Sequence, residues 1–255
     1  MKRVHCTFSG AVYDRTTERI VRDACKFGSD FALIFDDLWL TGTEFYALNR
    51  RMWEPHPICR GYGWYCWKAH VIMETLKRCE VGDVVLWTDA DTYPIADLTP
   101  LYDIAERDGI MLFEASAWWN YQWTKRDCFI VMDCDEPKYH QARHGCARFA
   151  LFRKGSALAE QFLIERQAYC LNLRANTLEP SVIAPELPGF REHRSDQSIL
   201  TNLAYKYGIR LYREACQAGD GYQHDRDLFP TVFHQADDWA RAITAPVEGS
   251  KWRNV

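Results

Sequence analysis

At 255 residues and 47% hydrophobic, the chain can bury one sizeable core, with room for a small appended lobe. Its 31 basic and 35 acidic residues leave a formal net charge of −4, which argues against a general polyanion binder, because phosphate-backbone affinity needs a clustered excess of Lys and Arg. The longest apolar runs, Phe31 to Phe35 and Val84 to Trp87, are too short to span a bilayer. The start, Met1 to Thr7, lacks the apolar stretch of a signal peptide, so a cytoplasmic protein is expected.

In chain order, short apolar strands alternate with amphipathic helices, the pattern of a mainly parallel, helix-covered sheet. Val4 to Phe8 reads as a first strand, Arg15 to Phe27 as a helix, and Phe31 to Phe35 as a second strand ending in Asp36-Asp37. Trp67 to Arg78 reads as a helix closed by Val81-Gly82-Asp83. Asp83 to Thr88 is the clearest buried strand, a continuous apolar run too short for a helix. A helix at Ala96 to Arg107 and a strand at Ile110 to Phe113 follow. Further on, Arg148 to Phe152 is read as a strand and Ser156 to Cys170 as a helix. Residues 172–188 hold Pro180, Pro185 and Pro188 and read as a long functional loop. A helix from Ser195 to Tyr207 and a strand from Ile209 to Tyr212 complete the series. The ten cysteines form no C-x-x-C pair, so a structural zinc site is not expected, and the thiols are read as reduced and mostly buried.

Asp89-Ala90-Asp91 stands at the carboxyl end of that clearest strand, where open α/β sheets bind their ligands. Two carboxylates one residue apart can grip a hard divalent cation, which would stabilise a diphosphate leaving group. Asp133-Cys134-Asp135 and Asp225-Arg226-Asp227 repeat the spacing, but they read as exposed loop carboxylates because no buried strand delivers them.

The segment Arg60-Gly61-Tyr62-Gly63-Trp64-Tyr65-Cys66-Trp67-Lys68, then a helix, then Gly82 to Asp91, resembles nucleotide-sugar transferases of the GT-A superfamily. Within that superfamily it resembles bacterial and viral family-8-like sequences. Thr124-Lys125-Arg126-Asp127 and Glu192-His193-Arg194-Ser195-Asp196-Gln197-Ser198 resemble the same group in the same order. The likeness implies a metal-dependent glycosyltransferase on a GT-A, Rossmann-like mixed sheet with helices on both faces. It also implies one domain over 1–255, with residues 1–115 as the nucleotide-sugar half and 116–255 as the acceptor half.

By that resemblance Asp89 and Asp91 would hold Mn²⁺ or Mg²⁺ against the diphosphate of a nucleotide-sugar co-substrate, with His234 as a further ligand. An ordinary half-buried histidine after a strand is an equal reading of His234. Asp196 would bind sugar hydroxyls and Gln197 would face the anomeric carbon, although Asp196 also suits a helix N-terminus. Lys68 and Arg60 would face the diphosphate, and Thr7, Phe8, Ser9 and Tyr13 the nucleoside. The outcome is expected to be retaining; an inverting enzyme would need Asp127 or Asp196 as its base.

For the acceptor, Trp118, Trp119 and Trp123 with interleaved amides form a candidate sugar platform in a predicted loop. Lys138 to Lys154 carries seven basic residues and no acid, which suits either an anionic acceptor or an ordinary solvated face. The acceptor classes that fit are a glycan, a lipid-linked sugar or DNA with hydroxymethylated bases. A nucleotidyltransferase is the nearest rival, disfavoured by the single glycine and absent lysine in Thr7 to Val12. A non-catalytic nucleotide-sugar-binding module is the other alternative.

Overall fold

The computed structural model describes residues 1–10, 14–54 and 61–236. Six strands form the central sheet: β1 (Arg3–Ser9), β2 (Phe31–Asp36), β3 (Val84–Thr88), β5 (Ile110–Trp119), β6 (Arg143–Arg153) and β7 (Leu211–Tyr212). Their order across the sheet is β2-β1-β3-β6-β5-β7. Pairing is parallel except where β6 runs against both β3 and β5. The expected mixed, mainly parallel α/β sheet is therefore the observed one. A second, two-stranded sheet joins β4 (Thr92–Pro94) to β8 (Phe233–Gln235).

Residue alternation explains why both faces of the large sheet are covered, since successive side chains of a strand point to opposite sides. Val85 and Trp87 of β3, with Ala150 and Phe152 of β6, enter one core together with residues of α5 (Lys68–Lys77), α10 (Ala157–Cys170) and α12 (Asp196–Lys206). Val84, Leu86, Phe149 and Leu151 enter the other, against α6 (Thr99–Asp108) and the Phe229–Phe233 segment. All five residues of β3 are buried, as a strand packed on both faces requires.

The long strands and helices lie close to their expected places, and β5 and β6 are longer than expected. Short helices fill stretches without a marked period: α2 (Asp37–Thr41), α3 (Glu44–Leu48) and α4 (Arg50–Trp53), then α7 (Asn120–Trp123), α8 (Arg126–Val131), α9 (Pro137–His140) and α11 (Leu173–Asn176). Asp36 and Thr43 cap α2 and α3 with side-chain acceptors, a local signal that needs no amphipathic period. The nine described cysteines are free, and seven of them are buried. Among the described residues, no helix is long and apolar enough to cross a membrane.

Candidate active site

The parallel strands β1, β3 and β5 end at one edge of the sheet, where β6, running the other way, begins. A cavity of about 970 Å³ opens along that edge. Phe8, Gly10 and Asp37 line it at the β1–β2 end, Asp89 and Asp91 lie at its centre beyond β3, and Trp118 closes the β5 end.

Asp89 follows the last residue of β3, and its amide donates to the Arg148 carbonyl at 2.7 Å. The Thr92 amide returns to the Asp89 carbonyl at 3.0 Å, making a tight turn that presents both carboxylates of the D-x-D at the edge. The Lys68 ammonium, at the start of α5, lies 2.8 Å from Asp89 Oδ1 and 3.7 Å from Asp196 Oδ2. Arg166 of α10 reaches Asp196 Oδ2 at 2.9 Å from the protein interior, where it is 1% exposed. A chain of alternating charge, Asp89–Lys68–Asp196–Arg166, therefore runs from the cavity into the core.

Burial opposes the charge on Lys68, yet Asp196 and Asp89 outweigh it and hold the ammonium protonated beyond the usual lysine range. Asp89 responds in the opposite sense: desolvation pushes its carboxyl up to about 6, against the pull of Lys68 and with added repulsion from Asp91. Asp91 accepts from the Thr92 hydroxyl at 3.0 Å and from the Gln235 amide at 3.4 Å.

The local backbone is shaped to deliver these groups. In the aromatic segment Gly61 and Gly63 take positive φ, and so do Trp64 (48°) and Tyr65 (59°), which are uncommon there. Gly63 lies so close to Trp53 that an added Cβ would stand 2.2 Å from Cζ3 of that ring. This turn sets Trp67 against Phe8, ring centroids 4.1 Å apart, and starts α5 with Lys68 facing the cavity. Ser195 (φ 47°) makes a similar strained step immediately before α12, whose first two residues are Asp196 and Gln197. Gln197 lines the cavity while its amide donates to the Gly145 carbonyl at 2.8 Å.

Phe8, Lys68, Asp89, Asp91, Asp196 and Gln197 are thus brought together, as the sequence suggested. Tyr13 and Arg60 lie outside the described residues. The other expected residues lie elsewhere. Thr7 points away from the cavity that Phe8 lines, and Ser9 accepts the Thr17 hydroxyl at 2.8 Å rather than facing a ligand. Asp127 is 1% exposed and its oxygens accept the amides of Val182 and Ile183, which ties down a loop. His234 sits against the Tyr93 ring, centroids 5.4 Å apart, on the side of β8 away from the cavity.

Strand alternation sends Gln235 to the cavity in place of His234. Its Oε1 accepts from Arg148 at 2.6 Å while its amide nitrogen meets Asp91. Arg148 is anchored in turn by the buried Glu214 at 3.2 Å. No sequence feature points to Arg166 or Glu214, and for Gln235 the signal is the alternation of side chains in a three-residue strand.

The other D-x-D pairs are structural: Asp135 binds Arg126 and His140, and Asp225 binds Arg210 and the Arg213 amide. The basic run Lys138 to Lys154 forms no single face. It spans α9 and the sheet strand β6, with His144 fully buried, Arg148 in the cavity, and Lys138 and Lys154 paired to Glu136 and Glu160. Trp118 and Trp119 end β5 and Trp123 ends α7, rather than lying in a loop.

Asp89 and Asp91 offer hard carboxylate oxygens, donors that suit Mg²⁺ or Mn²⁺. Among the described residues, no group of three or more His, Cys, Asp or Glu side chains is arranged to hold a metal. The donor set fits a hard cation that keeps most of its positions for water and phosphate oxygens, and it does not fit an ion needing a protein cage.

No protein-family model and no curated protein matches the sequence. Among solved structures, mouse xyloside xylosyltransferase 1 aligns at 9% identity and TM-score 0.45, covering 92% of this chain and 97% of that one. A glycosyltransferase involved in glycosylation of the major capsid of PBCV-1 aligns at 14% and 0.43, covering 95% and 98%. The galactosyltransferase LgtC, in complex with donor and acceptor sugar analogs, aligns at 13% and 0.46, covering 92% and 87%. At these identities and TM-scores the likenesses assign no role to any residue of this chain.

Proposed function

We propose that the chain is a glycosyltransferase that moves a sugar from a nucleotide-sugar, of the UDP-sugar class, to a hydroxyl acceptor. One observation carries this reading: the two carboxylates of the D-x-D stand beside two anchored cations, Lys68 and Arg148, in a cavity along the carboxyl edge of the sheet. In this reading the nucleoside takes the end lined by Phe8, Gly10 and Asp37, and the diphosphate lies over Asp89, Asp91 and the cations. Mn²⁺ or Mg²⁺ held by Asp89 and Asp91 would neutralise the diphosphate and make it a better leaving group.

The remaining chemistry belongs to side chains. Lys68 and Arg148 oppose the negative charge that develops as the nucleotide departs. In this reading Asp196, held by Lys68 and Arg166, accepts hydrogen bonds from sugar hydroxyls, and Gln197, whose amide donates to Gly145, turns its carbonyl toward the sugar's reacting carbon. We favour retention, because neither carboxylate read as a base is free: Asp127 is spent on loop amides and Asp196 on two cations. We divide the chain as one domain, residues 1–115 for the donor and 116–255 for the acceptor.

The test is to incubate purified protein with a panel of nucleotide-sugars and Mn²⁺, with and without EDTA. Released nucleotide is measured, and nucleotide binding is measured separately. EDTA-sensitive release from one donor is expected. Absence of both release and nucleotide binding would end the reading.

A further inference from the structure

At the β5 end of the cavity, 118–123 and 191–194 meet in an arrangement that the donor-side chemistry does not use. The Trp118 and Trp123 rings stack with centroids 4.2 Å apart and planes 21° from parallel. The Arg194 guanidinium lies over both rings, at 4.9 and 4.8 Å from their centroids, and Arg191 lies over Trp123 at 5.6 Å. Trp118, Arg191 and Arg194 all line the cavity.

The backbone explains how Trp118 comes to face inward. Near its end β5 slips register against β6 between Glu114 and Trp119, and Ala117 takes φ 64°. Such an irregularity re-aims the following side chain. The Arg191 and Arg194 amides donate to the Gln122 and Trp123 carbonyls, at 2.8 and 3.1 Å, and so bring the two segments into contact.

We propose that Trp118, Trp123, Arg191 and Arg194 form an acceptor subsite for a sugar that carries an acid group, carboxylate or phosphate. The inference rests on the glycosyltransferase reading and names the acceptor class for the same cavity. An aromatic face suits the C–H face of a pyranose, and a guanidinium fork suits two oxygens of a carboxylate or phosphate. A neutral sugar needs only the first, so two arginines laid on the aromatic platform select for charge. Glu192, 53% exposed at the rim, already pairs its carboxylate with Arg194. It occupies the guanidinium as a resident carboxylate that an acidic ligand would displace.

The experiment uses ligand-observed NMR titration of the full chain with glucose, glucuronic acid and glucose 6-phosphate, after a separate titration with UDP. An acidic sugar should bind on the order of tenfold tighter than glucose, a difference of about 1.4 kcal/mol. Glucuronic acid against glucose 6-phosphate shows which acid group is taken. Arg194→Gln and Arg191→Gln should bring the affinity for acidic sugars down to that for glucose. Glu192→Gln should tighten acidic sugars several-fold, a gain that misfolding would not produce. Equal affinity for all three sugars, or a preference that survives both arginine variants, overturns the subsite. Loss of UDP binding alone would count against the glycosyltransferase reading and leave the sugar titration to be scored by itself.

Discussion

Asp89 and Lys68 form a direct ion pair, Oδ1 to Nζ 2.8 Å, in which the cation is almost fully buried and the anion stands at the cavity surface. Lys68 also faces Asp196, so one ammonium balances two carboxylates. Removing it leaves Asp196 opposed by Arg166 and Asp89 only by the more distant Arg148. Lys68→Met should therefore lower unfolding free energy by about 3–5 kcal/mol, the usual cost of breaking a buried pair by deleting one partner. Urea denaturation of the variant measures this directly. A loss below about 1 kcal/mol would mean that solvent already shields both carboxylates.

The two residues at the end of β8 should behave oppositely. His234→Ala should leave the Mn²⁺ concentration needed for half-maximal turnover unchanged, because its ring packs on Tyr93 outside the cavity. Gln235→Ala should weaken Mn²⁺ binding, read by the ion's EPR signal as well as by turnover, because Gln235 links Arg148 to Asp91. A metal response to His234→Ala with none to Gln235→Ala would reverse the assignment.

The block Thr124 to Asp127 acts as a latch for residues 175–193. Buried Lys125 donates to the Thr177 and Glu179 carbonyls at 2.6 and 3.0 Å, and Asp127 accepts the amides of Val182 and Ile183. Asp127→Ala strands those amides and should cost about 1–3 kcal/mol. Limited proteolysis should then cut within 178–187 faster than in the parent chain, with the shape of the pH–rate profile unchanged. Loss of one limb of that profile would restore Asp127 to the role of base.

Acid should destabilise the fold through three histidines. Burial pushes His5, His144 and His193 each down to about 3, with Arg194 adding to His144 and Lys125 to His193. Unfolded, each titrates at about 6.5. Below that pH the unfolded chain binds more protons than the folded one, so stability falls as pH drops from about 6.5 toward 3, by roughly 1.4 kcal/mol per pH unit for each histidine. Asp89, its carboxyl raised to about 6, works the other way and offsets part of one histidine. The melting temperature should therefore be clearly lower at pH 5 than at pH 7.5. A flat response would show that these rings are hydrated.

The sequence was most legible where one physical cause dominates. Val84 to Trp87 is apolar throughout because both faces are covered, and the same burial forces the polar Asp89 and Asp91 beyond it to the edge. Lys68 and Asp196, far apart in sequence, were each readable as candidates, but not the ion pairs that unite them. Those pairs depend on how α5, α10 and α12 pack over the sheet. Arg166 carried no signal at all, since a lone arginine on a helix is ordinarily solvated. His234 and Gln235 differ by one residue of alternation, enough in a three-residue strand to turn a side chain to the opposite face. Asp127 looked like chemistry because a carboxylate that accepts backbone amides cannot be told by composition from one that accepts a proton.

The contact of Gly63 with Trp53 has a consequence for any relative of this chain. A methyl group at position 63 would overlap the indole, and the positive φ there further penalises a side chain. The two positions are therefore constrained jointly, and a sequence that gives up the glycine is expected to carry a smaller residue in place of the tryptophan. Paired changes at 53 and 63 would mark descent with this turn intact, whereas independent drift at the two would mark chains in which Lys68 is delivered to the cavity by other means.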